Sequence, residues 1–211
     1  MDPIRRNVIE RQIHAYHSRG DYEAAATVSI QQYGAALLGY LMGVVSDEDQ
    51  ACEIFADACE DLWRGINGFA WRSSFWTWAN SITRHACFRH LHRQRLEPSP
   101  LNSAVTQLQQ QVRSVTLPYL RTSFKDRITK LREQLDERDR TLLYLRVDCE
   151  MSWTEIAEVL VPPDEHRDPE ALQRTAARCR KRFERAKLRL RRLALAEGLL
   201  TEGTELNPSV S

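Results

Sequence analysis
Between Ala51 and Leu62 the apolar residues Ala51, Ile54, Phe55, Ala58 and Leu62 return every three or four positions, the spacing that keeps side chains on one face of an α-helix. The same rhythm runs through most of the chain. Glycines are few, no segment alternates in the manner of a strand, and no repeat recurs at a solenoid period, so the pattern predicts an all-α protein. A first helical block runs from about Ile4 to Arg95, with breaks near Gly20, near Ser46 and from Gly65 to Ser74. Residues 96–123 are rich in proline, serine and glutamine, the composition of a flexible linker with room for one short helix. A second block runs from about Phe124 to Glu197. It is interrupted by VPPDEHRDPE, whose prolines forbid a continuous helix. The expected organisation is two small helical domains on a flexible linker. The first, residues 31–95, follows an N-terminal extension of residues 1–30; the second, residues 124–197, precedes a frayed tail at 198–211.

The helix that carries the Ala51 stripe places Glu53, Asp57, Glu60 and Asp61 on its opposite face. Like charges at i, i+4 repel by a few tenths of a kcal/mol per pair. A single-sign acidic stripe is either a solvated surface or a face for a basic protein partner.

The stretch from Phe69 to Arg84, FAWRSSFWTWANSITR, sets three tryptophans among serines and arginines. Ser73 or Ser74 can cap the helix that follows. From there Phe75, Trp78, Ala79, Ile82 and Ala86 fall on one face, which is expected to be core. Trp76, Asn80, Thr83, Arg84 and Cys87 fall on another. Trp76 is therefore the expected exposed ring, a platform of the kind that grips unstacked bases at about 1–3 kcal/mol per base. The terminal RHLHRQR adds phosphate-binding charge.

Formal net charge is only +1, yet RTAARCRKRFERAKLRLRR (Arg174 to Arg192) is basic apart from Glu184. Arg174, Arg178, Lys181, Arg185, Arg189 and Arg192 form one stripe, and Ala176, Cys179, Phe183, Ala186 and Leu190 form an apolar one opposite. Upstream lies a helix over about Glu137 to Arg146. A second helix is opened by Ser152, with Glu155 three residues later as a capping box. Helix, turn, capped helix, turn and basic helix is the layout of a helix-turn-helix DNA-binding domain, whose last helix enters the major groove.

Composition narrows the class further. The 211 residues are 42% hydrophobic, enough to build cores. No apolar run approaches the roughly 20 residues that span a bilayer, and MDPIRRNVIERQ is charged where a signal peptide is apolar. The expectation is a cytoplasmic protein without membrane insertion. Cys52, Cys59, Cys87, Cys149 and Cys179 are scattered without a CxxC pair and read as packed, reduced thiols. His85, Cys87, His90 and His92 lack the companions that complete a zinc tetrahedron. No metal, cofactor or catalytic constellation is expected, and the chain reads as a non-enzyme.

The run YGAALLGYLMGVVSDEDQACEIFADACEDLWRGINGFAWRSSFWTWANSITRHACFRHLHRQ resembles the promoter-melting domain of bacterial extracytoplasmic-function (ECF) sigma factors. LREQLDERDRTLLYLRVDCEMSWTEIAEVL, resumed at AARCRKRFERAKLRLRRL, resembles their promoter-reading domain. The resemblance implies a dissociable sigma subunit that binds core RNA polymerase, directs it to promoter DNA and helps open the duplex. It assigns polymerase binding to Asp49, Glu53, Asp57 and Asp61. Contacts to the minus-ten element, including a pocket for a flipped base, fall to Trp71, Arg72, Ser73, Ser74, Trp76, Asn80 and Arg84. Contacts to the minus-thirty-five element fall to Arg174, Arg178, Lys181, Arg182 and Arg185. An anti-sigma factor is a further partner the family allows. Trp71 and Arg72 stand where the family has a small or acidic pair, and Val161 to Thr175 is an insertion before the recognition helix. Two other readings compete. A helix-turn-helix regulator that never joins polymerase leaves the acidic helix without a task. A protein-interaction module predicts no affinity for nucleic acid.

Overall fold
The computed structural model describes residues 3–45, 47–91, 103–120, 130–161 and 168–200. The first block's end at Arg95, residues 121–129, Pro162, Pro163 and the tail from residue 201 lie outside them. Among the described residues the regular structure is entirely helical. Helix α1 spans Pro3–His17 and stops at Gly20, which takes φ 76 to reverse the chain. Only glycine adopts that conformation without strain. Asp21 then accepts from the Ala24 amide at 3.1 Å and opens α2, Tyr22–Val45. Helix α3, Glu48–Gly65, is capped by Asp47, whose carboxylate accepts from the Gln50 amide at 2.8 Å. A 3-10 turn, Ile66–Gly68, and the loop to Ser74 lead into α4, Phe75–Leu91.

Helix α2 is the central element. Contrary to the sequence expectation, it is long and apolar enough by length and composition to cross a membrane. Its buried Ile30, Tyr33, Leu37, Leu38 and Leu41 instead meet α1, α3, α4 and α5. The apolar stripe of α3 is buried throughout, from Ala51 to Leu62, as its periodicity predicts.

The stretch read as a flexible linker contains α5, Ser103–Leu120, docked on α2 and α3. Val105, Leu108 and Val112 bury one face, and Gln109 donates to the Ala56 carbonyl at 3.1 Å. Val112 approaches α2 so closely that a Cβ on Gly34 would lie 2.9 Å from it. Close packing here therefore requires glycine.

Helix α6, Glu137–Leu143, is capped by Asp136 and runs into a π-helical turn over Tyr144–Asp148. Helix α7, Trp153–Leu160, begins with the expected capping box: Ser152 accepts from the Glu155 amide at 3.2 Å, and Glu155 accepts from the Ser152 amide at 2.8 Å. Helix α8 spans Pro169–Ala196 without interruption. Asp168 caps it and Pro169 takes the first position, where the missing amide proton costs nothing. Residues 169–175 therefore extend the basic helix. Helix α7 ends at Leu160 and α8 begins at Pro169, and residues 162–167 lie outside the described residues.

The C-terminal helices pack directly on the N-terminal ones. Helix α7 lies on α4, and α6 lies on α2. The Tyr40 hydroxyl lies 3.4 Å from that of Thr141, the Tyr144 hydroxyl donates to the Ala36 carbonyl, and the two tyrosine rings sit 4.7 Å apart. Arg6 of α1 pairs with Glu155 at 3.3 Å.

Candidate functional site
The loop after α3 and the exposed side of α4 form a groove of ≈ 290 Å³, near the lower end of the size range of small-molecule clefts. Phe69, Arg72 and Ser73 come from the loop, and Thr77, Trp78, Ser81 and His85 come from α4. Glu158 of α7 closes one side. Ser74 caps α4 by accepting from the Thr77 amide at 3.1 Å.

On α4 the expected core residues Phe75, Ala79 and Ala86 are buried, but so is most of the face expected to be exposed. Trp76 is fully buried, its ring 4.8 Å from that of Tyr33 on α2. Asn80 and Thr83 are buried beside it at 1% and 0% exposure. Both donate to carbonyls of their own helix, Asn80 to Trp76 at 2.9 Å and Thr83 to Ala79 at 2.9 Å, while the Asn80 Oδ1 is buried without a partner among the described residues. Trp78, expected in the core, is partly exposed in the groove. It stacks on Phe69 at 4.7 Å, meets Phe75 edge-on at 5.0 Å and lies over Gly65. Trp76 and Asn80 thus cannot reach a ligand in this fold, and the accessible aromatic is Trp78.

Of the other residues expected at the minus-ten element, Arg72 and Ser73 line the groove and Ser74 stands at its end as the cap. Trp71 turns away from the groove toward α1. Arg84 does not line the groove. It faces a second cleft of ≈ 440 Å³ between α4 and the C-terminal helices, beside Glu137, Arg178 and Arg182. Thr77, Ser81 and His85 were missed. The i, i+4 spacing of Thr77, Ser81 and His85 is visible in the sequence, but so was the competing Trp76–Asn80–Thr83 stripe.

On α3, Asp49, Glu53 and Asp57 are exposed. The stripe is relieved at its C-terminal end, where Arg89 of α4 pairs with Asp61 and Arg64 pairs with Glu60 at 2.6 Å. Partial desolvation and the neighbouring Asp61 carboxylate raise the Asp57 carboxyl above its ordinary value.

Along α8, Arg178, Lys181 and Arg185 are exposed. Arg174 pairs with Asp168 at 3.4 Å and Glu170 at 3.2 Å. Arg182 is engaged within the protein. Its Nε donates to Asp139 at 2.5 Å and its Nη2 to both Asp136 oxygens at 2.7 Å, tying α8 to the cap of α6. Against a desolvation that would lift it, the Asp139 amide and the Arg182 guanidinium hold the Asp136 carboxyl below its ordinary value. Arg182 is accordingly a structural clamp between α8 and α6.

All five cysteines are buried. Burial pushes the thiols up, Cys87 and Cys149 to about 12, so they are protonated and unreactive at neutral pH.

The family described as Sigma-70 region 2 matches residues 30–97. That span holds most of α2, all of α3, the groove loop and α4. No curated protein and no solved structure matches the chain. A match that coincides with the acidic helix and the aromatic groove supports a sigma-70 family member, with that region's part in RNA polymerase binding and promoter melting.

Proposed function
We propose that the protein is an ECF sigma factor, a dissociable cytoplasmic subunit that binds core RNA polymerase, brings it to promoters and helps open them without catalysing a reaction itself. The observation that carries this reading is the coincidence, within residues 30–97, of an exposed acidic helix face and a groove walled by a tryptophan. Asp49, Glu53 and Asp57 are the polymerase-facing set, with Asp61 behind them held by Arg89. Trp78, Arg72 and Ser73 take an unstacked base of the minus-ten element. Trp78 supplies the stacking surface, while Arg72 supplies charge toward the backbone. Arg178, Lys181 and Arg185 on α8 read or grip the minus-thirty-five element in the major groove, which treats α6–α8 as a helix-turn-helix unit.

The two promoter elements lie about 25 base pairs apart, or about 85 Å at roughly 3.4 Å per pair. Helices α4 and α7, in contact in the free chain, must therefore separate when both elements are bound, and Glu158 must leave the groove. An anti-sigma partner that holds the closed arrangement is compatible with this geometry.

The test is charge reversal. Glu53→Lys with Asp57→Lys should leave melting unchanged to within about 1 kcal/mol, because exposed charges contribute little to folding, and should abolish recovery of core polymerase in a pull-down. Unchanged recovery sinks the assignment of α3. A wild-type chain that binds DNA but never polymerase establishes the competing regulator reading.

A further inference from the structure
Residues 1–29 precede the family match, yet α1 reaches the groove loop from one continuous face. Glu10, His14 and His17 are spaced i, i+4, i+7, so they line up along the helix. The Glu10 carboxylate accepts from the first two amides of α4, Phe75 at 2.8 Å and Trp76 at 2.7 Å, and from the Tyr33 hydroxyl at 3.0 Å. It thereby occupies a helix N-terminus, where a negative charge is favoured. His17 holds the opposite end of the loop. Its Nε2 lies 3.0 Å from the Ile66 carbonyl, and its Nδ1 accepts from the Trp71 indole at 3.2 Å. A carbonyl only accepts and an indole N–H only donates, so the pair of bonds selects the neutral imidazole with its proton on Nε2. His14 meets the Trp71 ring edge-on at 4.6 Å.

Trp71 needs such support. Its φ of 54 is in the left-handed region, uncommon for a bulky side chain and costly unless the surroundings impose it. The residues on either side of this turn, Phe69 before it and Arg72 and Ser73 after it, wall the groove. The buried Ile9 and Ile13 already anchor α1 to the core. The polar contacts are additional, and they converge on the loop from Ile66 to Ser74 and the first turn of α4.

We propose that Glu10 and His17 are positioning residues for strand separation, fixing the two ends of the groove loop so that Arg72, Ser73 and Trp78 are arranged before DNA arrives. Neither side chain enters the groove. They act by removing the ordering cost that a loose loop would add to base capture. The inference rests on the reading of the groove as a single-strand site.

The experiment compares Glu10→Ala, Glu10→Gln, His17→Ala and His17→Asn with wild type in the full chain, at a temperature where circular dichroism shows each folded. Three quantities are read: recovery of core polymerase, permanganate reactivity of promoter thymines on duplex DNA, and affinity of the holoenzyme for the single-stranded minus-ten strand. Glu10→Ala and His17→Ala should join polymerase as wild type does, yet lose roughly tenfold to a hundredfold in opening and in strand affinity. Glu10→Gln keeps an acceptor for only one of the two α4 amides and should recover part of what Glu10→Ala loses, whereas His17→Asn keeps the acceptor for the Trp71 indole and should recover most of what His17→Ala loses. If Glu10→Ala does not fold, the His17 pair decides. Opening at the wild-type level in the alanine variants overturns the proposal. So does a loss of polymerase binding in proportion to opening, which marks a merely structural role. A wild-type chain that neither joins polymerase nor opens DNA sinks the sigma reading and the proposal together, whereas failure of the contrast alone sinks only the proposal.

Discussion

Trp76 and Trp78 stand two positions apart on α4, and replacing each by alanine should produce opposite defects. Trp76 has no exposed surface and packs against the Tyr33 ring at 4.8 Å. Emptying such a site costs about 3–5 kcal/mol in lost transfer energy and cavity formation. In a chain of 211 residues each kcal/mol lowers Tm by roughly 2–4 °C, so Trp76→Ala should melt about 6–20 °C early. Trp78 faces the groove on one side and touches Phe69 and Phe75 on the other. Losing those pairs should cost only about 1–3 kcal/mol. Its functional cost is larger. One stacked base contributes about 1–3 kcal/mol, so Trp78→Ala should bind single-stranded minus-ten DNA roughly 5- to 150-fold more weakly as holoenzyme. The assays are thermal denaturation of each variant and permanganate footprinting of reconstituted complexes, on duplex promoter and on a premelted fork that should partly rescue Trp78→Ala. The reasoning is refuted if Trp76→Ala melts like wild type, or if Trp78→Ala opens promoters normally.

Asp136→Asn keeps the cap of α6, since asparagine caps as well as aspartate, but removes the charge facing Arg182. The carboxyl is held below its ordinary 3.8, so the stabilisation is present above that value and disappears as pH falls through the lower, folded value. With side chains 37% and 53% exposed, solvent screening limits it to about 1 kcal/mol. The variant should melt a few degrees early at pH 7 and coincide with wild type near the acid limit of folding; a gap that widens with acid would contradict the assignment. Small-angle scattering of the free chain should give a radius of gyration near ~17 Å, the expectation for one compact body of this length. A two-lobed profile with a much larger value would show that α7 does not rest on α4 in solution.

Local chemistry made much of the fold legible in the sequence. The Ala51–Leu62 stripe, the Ser152–Glu155 capping box and the break at Gly20 each follow from interactions within a few residues. The phase of α4 did not, because α1, α2, α3 and α7 all pack against it and leave little of its circumference to solvent. Periodicity separates faces without saying which neighbour each will meet. Asn80 and Thr83 look solvent-facing by polarity, yet each enters the core by donating to a carbonyl of its own helix, Asn80 with its Oδ1 left without a partner among the described residues. Helix α5 was obscured by composition, its Val105, Leu108 and Val112 stripe diluted among glutamines and serines. The start of α8 was obscured by the same prolines that limit it, since Pro169 begins a helix as readily as proline ends one. The role of α1 depends on Glu10 and His17 meeting residues 49 to 66 positions away. No window of sequence joins those partners.

The central claim, that this chain directs RNA polymerase to promoters, is tested most directly by adding it to core polymerase on pooled genomic fragments from its host and sequencing the RNA 5′ ends. The account predicts a set of start sites that appears only with the chain, shares sequence near minus ten and minus thirty-five, and disappears with Glu53→Lys/Asp57→Lys. Identical 5′ ends with and without the chain, from polymerase shown to be active with another initiation factor, would contradict it.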